Sequence, residues 1–255
     1  MLQPKWDGFR LLIEVGADGR LRAWSRRGAS LTGRLEHLLD PFADTPAGSV
    51  FDGELVALSE HGGRPVQDFA TVCRAVLRGD VAAARSLRFV AFDLLAFDGR
   101  DLRGRAWRER DGRLAEVLPV CGTVRRIESL RATAAAHAAI VALGFEGTVL
   151  KRPGSIYRAG RHATWLKHKA RHAATGTLVS VRRDRDGHWH GVCEVDGRRV
   201  AALTGERSVE AIGESVRLVY SRIDAGGAPR EARIVTSARA PVGLSELVES
   251  RSAAI

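Results

Sequence analysis

Short strand patterns separated by glycine-containing turns constrain the fold of this chain more than any other feature. Residues 9–24 alternate apolar and polar side chains on either side of Asp18 and Gly19, which predicts a β-hairpin. Three further runs are rich in strand-forming residues, at 49–58, 88–97 and 145–152. Because these runs do not alternate regularly with helices, we predict an α+β fold with largely antiparallel sheets.

One helix is predicted ahead of the last of these strands. Residues 128–144 are rich in alanine, and Gly144 provides the stop. Beyond residue 171 the chain consists of short strands parted by D-G and G-G turns, which is typical of a small β-barrel. We therefore predict two domains, residues 1–171 and an OB-fold barrel at 172–255, with the boundary inside 169–176.

Composition excludes several classes of protein. No apolar run approaches the roughly 20 residues that a membrane-spanning helix needs, and too few residues precede Lys5 for a signal peptide. We expect a cytoplasmic protein that does not bind membranes. Cys73, Cys121 and Cys193 are far apart and form no C-x-x-C pair, so buried thiols are expected rather than disulfides or a zinc site.

The charge balance points to a polyanionic partner. Forty Lys and Arg against 30 Asp and Glu give a net charge of +10. Neutralising phosphates releases condensed counterions, so a charge excess of this size favours nucleic acid. An arginine-rich genome would also raise the charge, but it does not explain why the lysines fall inside motif-like stretches.

Six motif-like stretches follow one another along the chain, at residues 4–10, 24–28, 51–56, 89–102, 146–152 and 165–169. Each stretch alone has a plain structural explanation. The K-x-D-G at Lys5 is compatible with a turn, Glu54 with a solvated strand position, and Lys167 and Lys169 with an exposed strand edge. Only their order and combination carry a functional signal.

Together these stretches resemble the ATP-dependent DNA ligases, members of the covalent nucleotidyltransferase superfamily that also contains RNA ligases and mRNA capping enzymes. The resemblance covers residues 3–169. It is closest to the small bacterial ligases and to the ligase module of bacterial end-joining proteins. It implies that residues 1–171 form an adenylation domain with ATP as co-substrate. It also implies that Lys5 attacks the α-phosphate and holds AMP covalently.

The chemistry of that step explains the residue types. Lys5 must be unprotonated to attack phosphorus, and an ordinary lysine is mostly charged at neutral pH. Burial and neighbouring cations such as Arg10 or Lys167 favour the neutral amine. Charge that builds up on the phosphate also requires cations placed in advance and a divalent metal.

The resemblance assigns the other site residues. Lys167 and Lys169 are expected to contact the α-phosphate, and Phe92 to pack against adenine. Glu146 and Glu54 are expected to hold Mg²⁺ or Mn²⁺, because carboxylate oxygens suit hard cations. Glu54 is also expected to bind the nucleotide, near its ribose. The remaining nucleotide-binding residues that it implies are Gln3, Arg10, Arg26 and Lys151, of which the two arginines are expected to reach the nucleotide and the nick phosphate.

Two departures from the family pattern qualify this assignment. Gln3 stands where a glutamate that recognises adenine is common, and the chain starts too close to Lys5 for the usual lead-in segment. Either the start codon is assigned late or the pocket is incomplete. Near the far end, Arg230, Arg233 and Arg239 are not followed by the Asp-Lys of the family's R-x-D-K motif, so slow self-adenylation or a substitute arginine is expected.

The sequence therefore predicts a DNA ligase that seals nicks in duplex DNA during repair or end joining. It is expected to act as a monomer in the bacterial cytoplasm at the nucleoid, with end-joining or repair proteins as possible partners. Two alternatives stay open. One is an RNA ligase or another nucleotidyltransferase, and the other is a degenerate protein that binds nicks without catalysis.

Overall fold

The computed structural model describes residues 1–61, 64–160, 162–223 and 229–235. The chain folds into two compact units, Met1–Ala170 with Ser221–Ala228 and Arg171–Tyr220 with Pro229–Ile255. Arg239, one of the three arginines singled out near the far end of the sequence, lies outside the described residues.

The first unit mixes strands and helices. Its strands are β1 (Leu2–Pro4), β2 (Phe9–Val15), β3 (Leu21–Ser25), β4 (Ser49–Val56), β5 (Leu58–His61), β6 (Arg64–Gln67), β7 (Arg88–Phe97), β8 (Arg100–Asp101), β9 (Val124–Arg126), β10 (Gly147–Lys151) and β11 (Trp165–Lys169). Its helices are α1 (Glu36–Leu39), α2 (Phe69–Arg78), α3 (Val81–Arg85), α4 (Trp107–Val117) and α5 (Ala134–Ala142), with 3-10 turns at Thr32–Arg34 and Asp40–Phe42.

The larger sheet of this unit has the strand order β3-β2-β4-β7-β8, with β9 added in parallel alongside β7. Alternate side chains of β2 and β4 enter a core in which Phe42 packs edge-on against Phe51 at 4.9 Å. Gly53 lies where a Cβ atom would come within 2.5 Å of the Phe89 ring. The glycine of the F-D-G-E stretch therefore lets β4 and β7 pack closely.

A second sheet has the order β1-β10-β11, with both pairs antiparallel. Its central strand begins at Gly147, which has φ +149° and approaches the partner strand so closely that a Cβ would lie 2.1 Å from the His168 carbonyl oxygen. Only glycine fits such a position. This close pairing brings the first residues of the chain beside the segment that ends at Lys169.

The helix predicted at 128–144 is shorter than expected. Leu130 pairs with Leu2 instead, through two backbone hydrogen bonds of 2.8 Å. The helix α5 begins only after Thr133, whose hydroxyl accepts a hydrogen bond of 3.0 Å from the Ala136 amide. An N-cap threonine ends the extended segment and starts the helix, and Gly144 (φ +87°) follows its end as predicted.

The second unit contains a closed five-stranded barrel in the order β12-β13-β14-β18-β15. Its elements are β12 (His172–Arg183), β13 (Trp189–Val195), β14 (Arg198–Thr204), a 3-10 turn (Glu206–Val209), β15 (Ser215–Tyr220), the short β17 (Pro229–Arg230) and β18 (Arg233–Val235). The short β16 (Arg222–Ile223) lies in the segment that belongs to the first unit. The barrel core contains Leu178, Cys193, Leu218 and Ile234. The α+β prediction, with largely antiparallel sheets and an OB-type barrel, is confirmed.

The predicted boundary segment at 169–176 is mostly strand. Residues from His172 onward pair with β15 in a continuous antiparallel register, which leaves only residues 170 and 171 between β11 and β12. The alternation of half-buried and exposed side chains along β12 explains this pairing. Small residues such as Ala173 and Ala174 concealed that pattern in the sequence.

Two smaller expectations concern membranes and thiols. Across the part of the chain that the structure describes, no helix has both the length and the apolar character needed to cross a bilayer. None of the three cysteines, all of which the structure describes, forms a disulfide. Cys193 is buried as predicted, whereas Cys73 and Cys121 are only partly buried, Cys121 against the edge of the core.

Candidate active site

Three charged motifs lie together at one end of the sheet β1-β10-β11, where β1 and β11 end and β10 begins. Lys5 follows β1 directly, and its amide donates a 2.9 Å hydrogen bond to the Gly147 carbonyl. Glu146 precedes β10, while Lys167 and Lys169 lie on β11 opposite Val149 and Gly147. Residues from the two ends of the first unit therefore meet on three adjacent strands.

Glu146 is the centre of this charged cluster. Its side chain is 4% exposed, and its carboxylate accepts hydrogen bonds from the Lys5 ammonium and, at 2.8 Å, from the Lys169 ammonium. Burial disfavours the ionised carboxyl, but the hydrogen bonds from Lys169 and Lys5 outweigh burial and hold the pKa of Glu146 below its usual value. Glu146 is thus a carboxylate at neutral pH and forms ion pairs with both lysines.

A cleft opens beside this cluster. The side chains that border it are Gln3, Pro4, Lys5, Trp6, Arg10, Glu54, Phe92, Ile127, Val149, Lys151, Trp165 and Lys167. Cationic side chains and aromatic rings both border the cleft, and the Arg10 guanidinium lies 5.5 Å from the centre of the Phe92 ring. Such a mixed lining suits a ligand that carries both negative charge and a flat apolar group.

Glu54 and Lys167 both face this cleft. Burial raises the pKa of Glu54 to about 7, with Lys5 and Arg10 opposing the shift. Burial likewise lowers the pKa of Lys167, and the neighbouring charge of Lys5 adds to the decrease. Within the described residues no hydrogen bond or ion pair engages the Glu54 carboxylate. Its oxygens therefore remain available to a ligand.

Arg10 reaches the cleft from β2 and is held by a buried carboxylate. Its Nε donates to Asp52 Oδ1 at 2.9 Å, and its Nη2 donates both to Asp52 Oδ2 and, at 2.7 Å, to the Tyr157 hydroxyl. Tyr157 in turn donates to Asp52 Oδ2 at 3.0 Å. Asp52 is fully buried. The guanidinium is therefore fixed from two directions while part of it stays accessible.

Phe92 and Trp165 form the aromatic wall of the cleft, with ring centroids 6.2 Å apart at 81°. The Lys151 ammonium lies over both rings. It is 3.8 Å from the Trp165 ring centre and donates to the Phe92 carbonyl at 2.9 Å. Burial lowers the pKa of Lys151 to about 8. The structure thus places Lys151 as a support for Phe92, with 2% of the residue exposed.

The two remaining predicted residues differ in position. Gln3 is 1% exposed and borders the cleft, with its amide nitrogen donating to Ser129 Oγ at 2.9 Å. Arg26 lies in the exposed turn after β3 and is not among the residues that border the cleft. The structure therefore brings Gln3 to the cleft and does not bring Arg26 there, so the role of Arg26 stays a prediction.

Sequence reasoning missed three residues of this site. Asp52 precedes Glu54 by two positions on a strand, which places both side chains on one face and was a readable signal. Tyr157 and Ser129 lie in irregular segments, where no periodicity predicts a neighbour. Only the tertiary structure places their hydroxyls against Arg10 and Gln3.

The donor set can be tested for its fit to a divalent metal. Among the described residues there is no cluster of three or more His, Cys, Asp or Glu side chains in metal-binding arrangement. Glu54 borders the cleft and Glu146 does not, but each carboxyl interacts with the charge of Lys5. Two carboxylates fit Mg²⁺, which commonly takes one or two protein ligands together with phosphate oxygens and water.

Comparison with known proteins agrees with this geometry. Residues 1–169 match the model of the ATP dependent DNA ligase domain. A probable DNA ligase of Streptomyces griseus subsp. griseus is 39% identical over 197 residues, which are 71% of this chain and 38% of the relative. The multifunctional non-homologous end joining protein LigD of Pseudomonas aeruginosa is 31% identical over 234 residues, 86% of this chain and 26% of the relative.

Solved structures give the same result for the fold. A mycobacterial DNA ligase D complexed with ATP and MES has a TM-score of 0.56 at 25% identity, covering 95% of this chain and 90% of the other. A structure from a study of Lig E DNA ligases has a TM-score of 0.66 at 18% identity, with coverage of 92% and 90%. The chain spans well under half the length of the two curated relatives. It belongs to the ATP-dependent DNA ligase family, through a domain that occupies residues 1–169.

Proposed function

We propose that this chain is an ATP-dependent DNA ligase that seals nicks in duplex DNA through a lysyl-AMP intermediate on Lys5. One observation carries the proposal: the Lys5 side chain borders one cleft together with the cations Arg10 and Lys167 and the aromatic rings of Phe92 and Trp165. A nucleotide needs both kinds of neighbour, cations for its phosphates and a flat apolar surface for its base. Family membership supports the same reading.

The first reaction forms a phosphoramidate. Lys5 must leave Glu146 and lose a proton to solvent, after which its lone pair attacks the α-phosphorus of ATP. A P–N bond forms as the bond from phosphorus to the bridging oxygen breaks, and pyrophosphate leaves with the electron pair. Lys167, Lys169 and Arg10 supply fixed positive charge for the phosphate oxygens in the transition state.

The second and third reactions use the nick. A 5′-phosphate oxygen attacks the same phosphorus, so that AMP passes from Lys5 to the DNA. The adjacent 3′-hydroxyl then attacks the 5′-phosphate, forms the phosphodiester and releases AMP. Both displacements are phosphoryl-type transfers that depend on positioning and on cations already in place.

Glu54 and Glu146 are the residues that would hold Mg²⁺ or Mn²⁺ in this cleft. The metal would offset the negative charge of the triphosphate. Glu54 suits this role because no side chain of the described chain occupies its carboxylate. Glu146 would first have to release the two lysines that it holds.

DNA is the proposed polyanion for the net charge of +10. We assign residues 1–171 as the adenylation domain and residues 172–255 as an OB-fold that contributes to duplex binding. Repair or end-joining proteins are proposed partners, because a relative is an end joining protein. Action as a monomer in the cytoplasm, at the nucleoid, belongs to the same proposal.

The direct test is covalent labelling. Incubation with ATP labelled at the α-phosphate and Mg²⁺ should attach label to the chain, and Lys5→Ala should abolish it. Arg20→Ala, an exposed turn substitution, serves as the matched control and should label like the parent. Labelling of Lys5→Ala at the parent level would exclude Lys5 as the nucleophile.

Sealing assays separate the remaining alternatives. Nicked DNA, nicked RNA and pre-adenylated nicked DNA are supplied in parallel, and sealing of DNA is expected to exceed sealing of RNA. Efficient sealing of pre-adenylated DNA with poor use of ATP would place a defect in the first step, where the departure from R-x-D-K acts. Tight nick binding without sealing of pre-adenylated DNA would replace this proposal by the non-catalytic one.

A further inference from the structure

Gln67 is a buried polar side chain without a part in the proposed reaction steps. It is the last residue of β6, pairs with Leu58 across the β5-β6 hairpin, and is 5% exposed. It is not among the described residues that border the cleft. Any part that Gln67 has in the reaction must therefore act through a neighbouring group of the protein.

The Gln67 amide joins the backbones of two segments. Its Oε1 accepts a hydrogen bond of 2.6 Å from the Asp7 amide, and its Nε2 donates to the Gly144 carbonyl at 3.4 Å. A backbone N–H can only donate and a carbonyl can only accept. The two partners therefore fix which end of the amide faces which segment.

The two segments carry the charged pair of the candidate active site. Asp7 lies two residues after Lys5, and Gly144 lies two residues before Glu146. The ammonium of Lys5 and the carboxylate of Glu146 are in direct contact. Gln67 thus connects the backbone that carries the nucleophile to the backbone that carries its carboxylate partner.

Other contacts hold the two ends of the turn that follows Lys5. The Lys5 amide donates to the Gly147 carbonyl at 2.9 Å. At the other end, a Cβ atom on Gly8 would lie 2.2 Å from a carbonyl oxygen of β4, so Gly8 packs directly against that strand. Asp7 lies between these ends, where the bond to Gln67 holds its amide.

The backbone of Gln67 is itself fixed on both sides. The next residue, Asp68, donates its amide to the Ala57 carbonyl at 3.0 Å. The Asp68 carboxylate accepts a hydrogen bond of 3.0 Å from the Thr71 amide and so caps the start of α2. The Gln67 side chain therefore projects from a junction between a hairpin and a helix, which suits it to hold another segment in place.

The ion pair between Lys5 and Glu146 cannot keep the nucleophile in place during adenylation. In the proposed function, on which this inference rests, Lys5 leaves Glu146 before it attacks the α-phosphorus. The partners of Gln67 are backbone atoms, so its two hydrogen bonds do not depend on that ion pair. They hold the backbone beside Lys5 while the side chain of Lys5 moves.

We propose that Gln67 is a positioning residue for adenylation: its amide bridges the Asp7 amide and the Gly144 carbonyl and so holds Lys5 where its amine reaches the α-phosphorus of ATP. Misplacing a reacting group by about 1 Å can cost about a hundredfold in rate. Loss of the bridge should therefore slow formation of the P–N bond without weakening the binding of ATP.

The test follows a single turnover of labelling of the full chain by ATP labelled at the α-phosphate, with Mg²⁺, over a range of ATP concentrations. Gln67→Met keeps the length of the side chain and removes both hydrogen bonds. The rate at saturating ATP should fall by about a hundredfold, and the ATP concentration for half of that rate should change by less than about twofold. Sealing of pre-adenylated nicked DNA should match the parent, because Lys5 forms no bond in that reaction.

Ser49→Ala is the matched control, because it also removes a buried side chain that bridges two backbone groups. The Ser49 hydroxyl donates to the Pro46 carbonyl at 2.6 Å and accepts from the Asp98 amide at 3.2 Å, and Ser49 does not border the cleft among the described residues. Labelling and sealing by Ser49→Ala should match the parent. Urea denaturation of each variant measures the accompanying loss of stability.

Gln67→Asn is a second variant that keeps a polar group at this position. Its amide lies on a stem one methylene shorter, and the bond to Gly144 is already 3.4 Å long, so it cannot reach both partners. Labelling should slow by about tenfold, the value of one hydrogen bond. Failure of both Gln67 variants to fold would assign Gln67 to stability alone and overturn the inference.

The remaining outcomes are equally decisive. Labelling at the parent rate in both Gln67 variants overturns the inference. A change confined to the half-saturating ATP concentration, an equal slowing in Ser49→Ala, or an equal loss of sealing of pre-adenylated DNA also overturns it, because each indicates a general effect. A parent that ATP does not label contradicts the ligase proposal as well, whereas equal labelling of parent and variants contradicts only the role of Gln67.

Discussion

Two buried aspartates stand side by side in the large sheet, and each is neutralised by its own arginine. Asp52 on β4 and Asp93 on β7 are directly paired in the strand register, and both side chains are fully buried. Asp52 binds Arg10 and Asp93 binds Arg110, in each case through two hydrogen bonds. The two pairs are chemically alike.

Their surroundings differ. Arg110 comes from α4, is fully buried, and gives its remaining hydrogen bonds to the carbonyls of Arg105 and Ser155. Arg10 is 31% exposed and borders the cleft. Two ion pairs of the same type therefore differ in effect: one fastens α4 to the sheet, and the other holds a cation at the border of the cleft. The difference arises because Arg110 lies on a helix packed over the sheet, whereas Arg10 lies on β2 beside the cleft.

The largest loss of stability is expected from breaking the fully buried pair, Arg110 and Asp93. Arg110→Met leaves Asp93 buried without a partner, which should lower the free energy of unfolding by about 3 to 5 kcal/mol. Urea denaturation measures the loss. Arg108→Met removes a neighbouring exposed arginine of the same helix and should change stability by less than about 0.5 kcal/mol. Similar losses in both variants would show that the buried ion pair of Arg110 contributes no more to stability than an exposed arginine.

Lys151 sharpens the comparison because its charge interacts with both Asp93 and Asp52. Burial lowers its pKa from 10.5 to about 8. Between these values the unfolded chain binds more protons than the folded chain, so stability should rise with pH. Relative to Lys151→Met, the parent should gain about 2 kcal/mol between about pH 7.5 and about pH 9.5, as measured by urea denaturation. An equal change in both chains would contradict this.

Breaking the accessible pair should have a different signature. In Arg10→Met, Asp52 keeps the Tyr157 hydroxyl and gains access to water, so the expected loss of stability is only about 1 to 2 kcal/mol. Adenylation of Lys5 should fall by about a hundredfold, because a preplaced cation is lost. Stability and labelling are measured on the same preparation. A stability loss as large as that of Arg110→Met would show that the two ion pairs contribute equally to the free energy of unfolding.

The smallest effect is expected for Tyr157→Phe, which removes one hydroxyl and keeps the ring. The loss of stability should be about 1 kcal/mol. Adenylation should fall severalfold, which is less than in Arg10→Met, since Asp52 still holds the guanidinium. A cycle that combines Tyr157→Phe with Arg10→Met should show non-additive effects. Full additivity would mean that Tyr157 does not act through Arg10.

These pairs also show how far the sequence could be read. Alternation of apolar and polar residues predicted β2, richness in strand-forming residues predicted β4 and β7, and the order of the motifs predicted the family and most residues of the cleft. Arg110 carried no such signal, since an arginine in a polar helix normally faces solvent. Its burial depends on an aspartate 17 positions earlier in the sequence.

The same limit applies to element ends and to irregular segments. The helix predicted from residue 128 begins at Ala134, because pairing of Leu130 with Leu2 outweighs the helix propensity of that stretch. Ser129 and Tyr157 gain their contacts from such pairings and not from local pattern. Arg26 shows the converse, a motif residue that the fold leaves in an exposed turn.

The contact between Lys5 and Glu146 joins residues 141 positions apart. Closing a loop of that size costs chain entropy that is recovered only after the intervening strands have packed, so this contact belongs to the late events of folding. A nascent chain that has emerged only as far as β8 holds Lys5 without Glu146 and without the lysines of β11. The cluster around Glu146 is therefore complete only after β10 and β11 have joined β1.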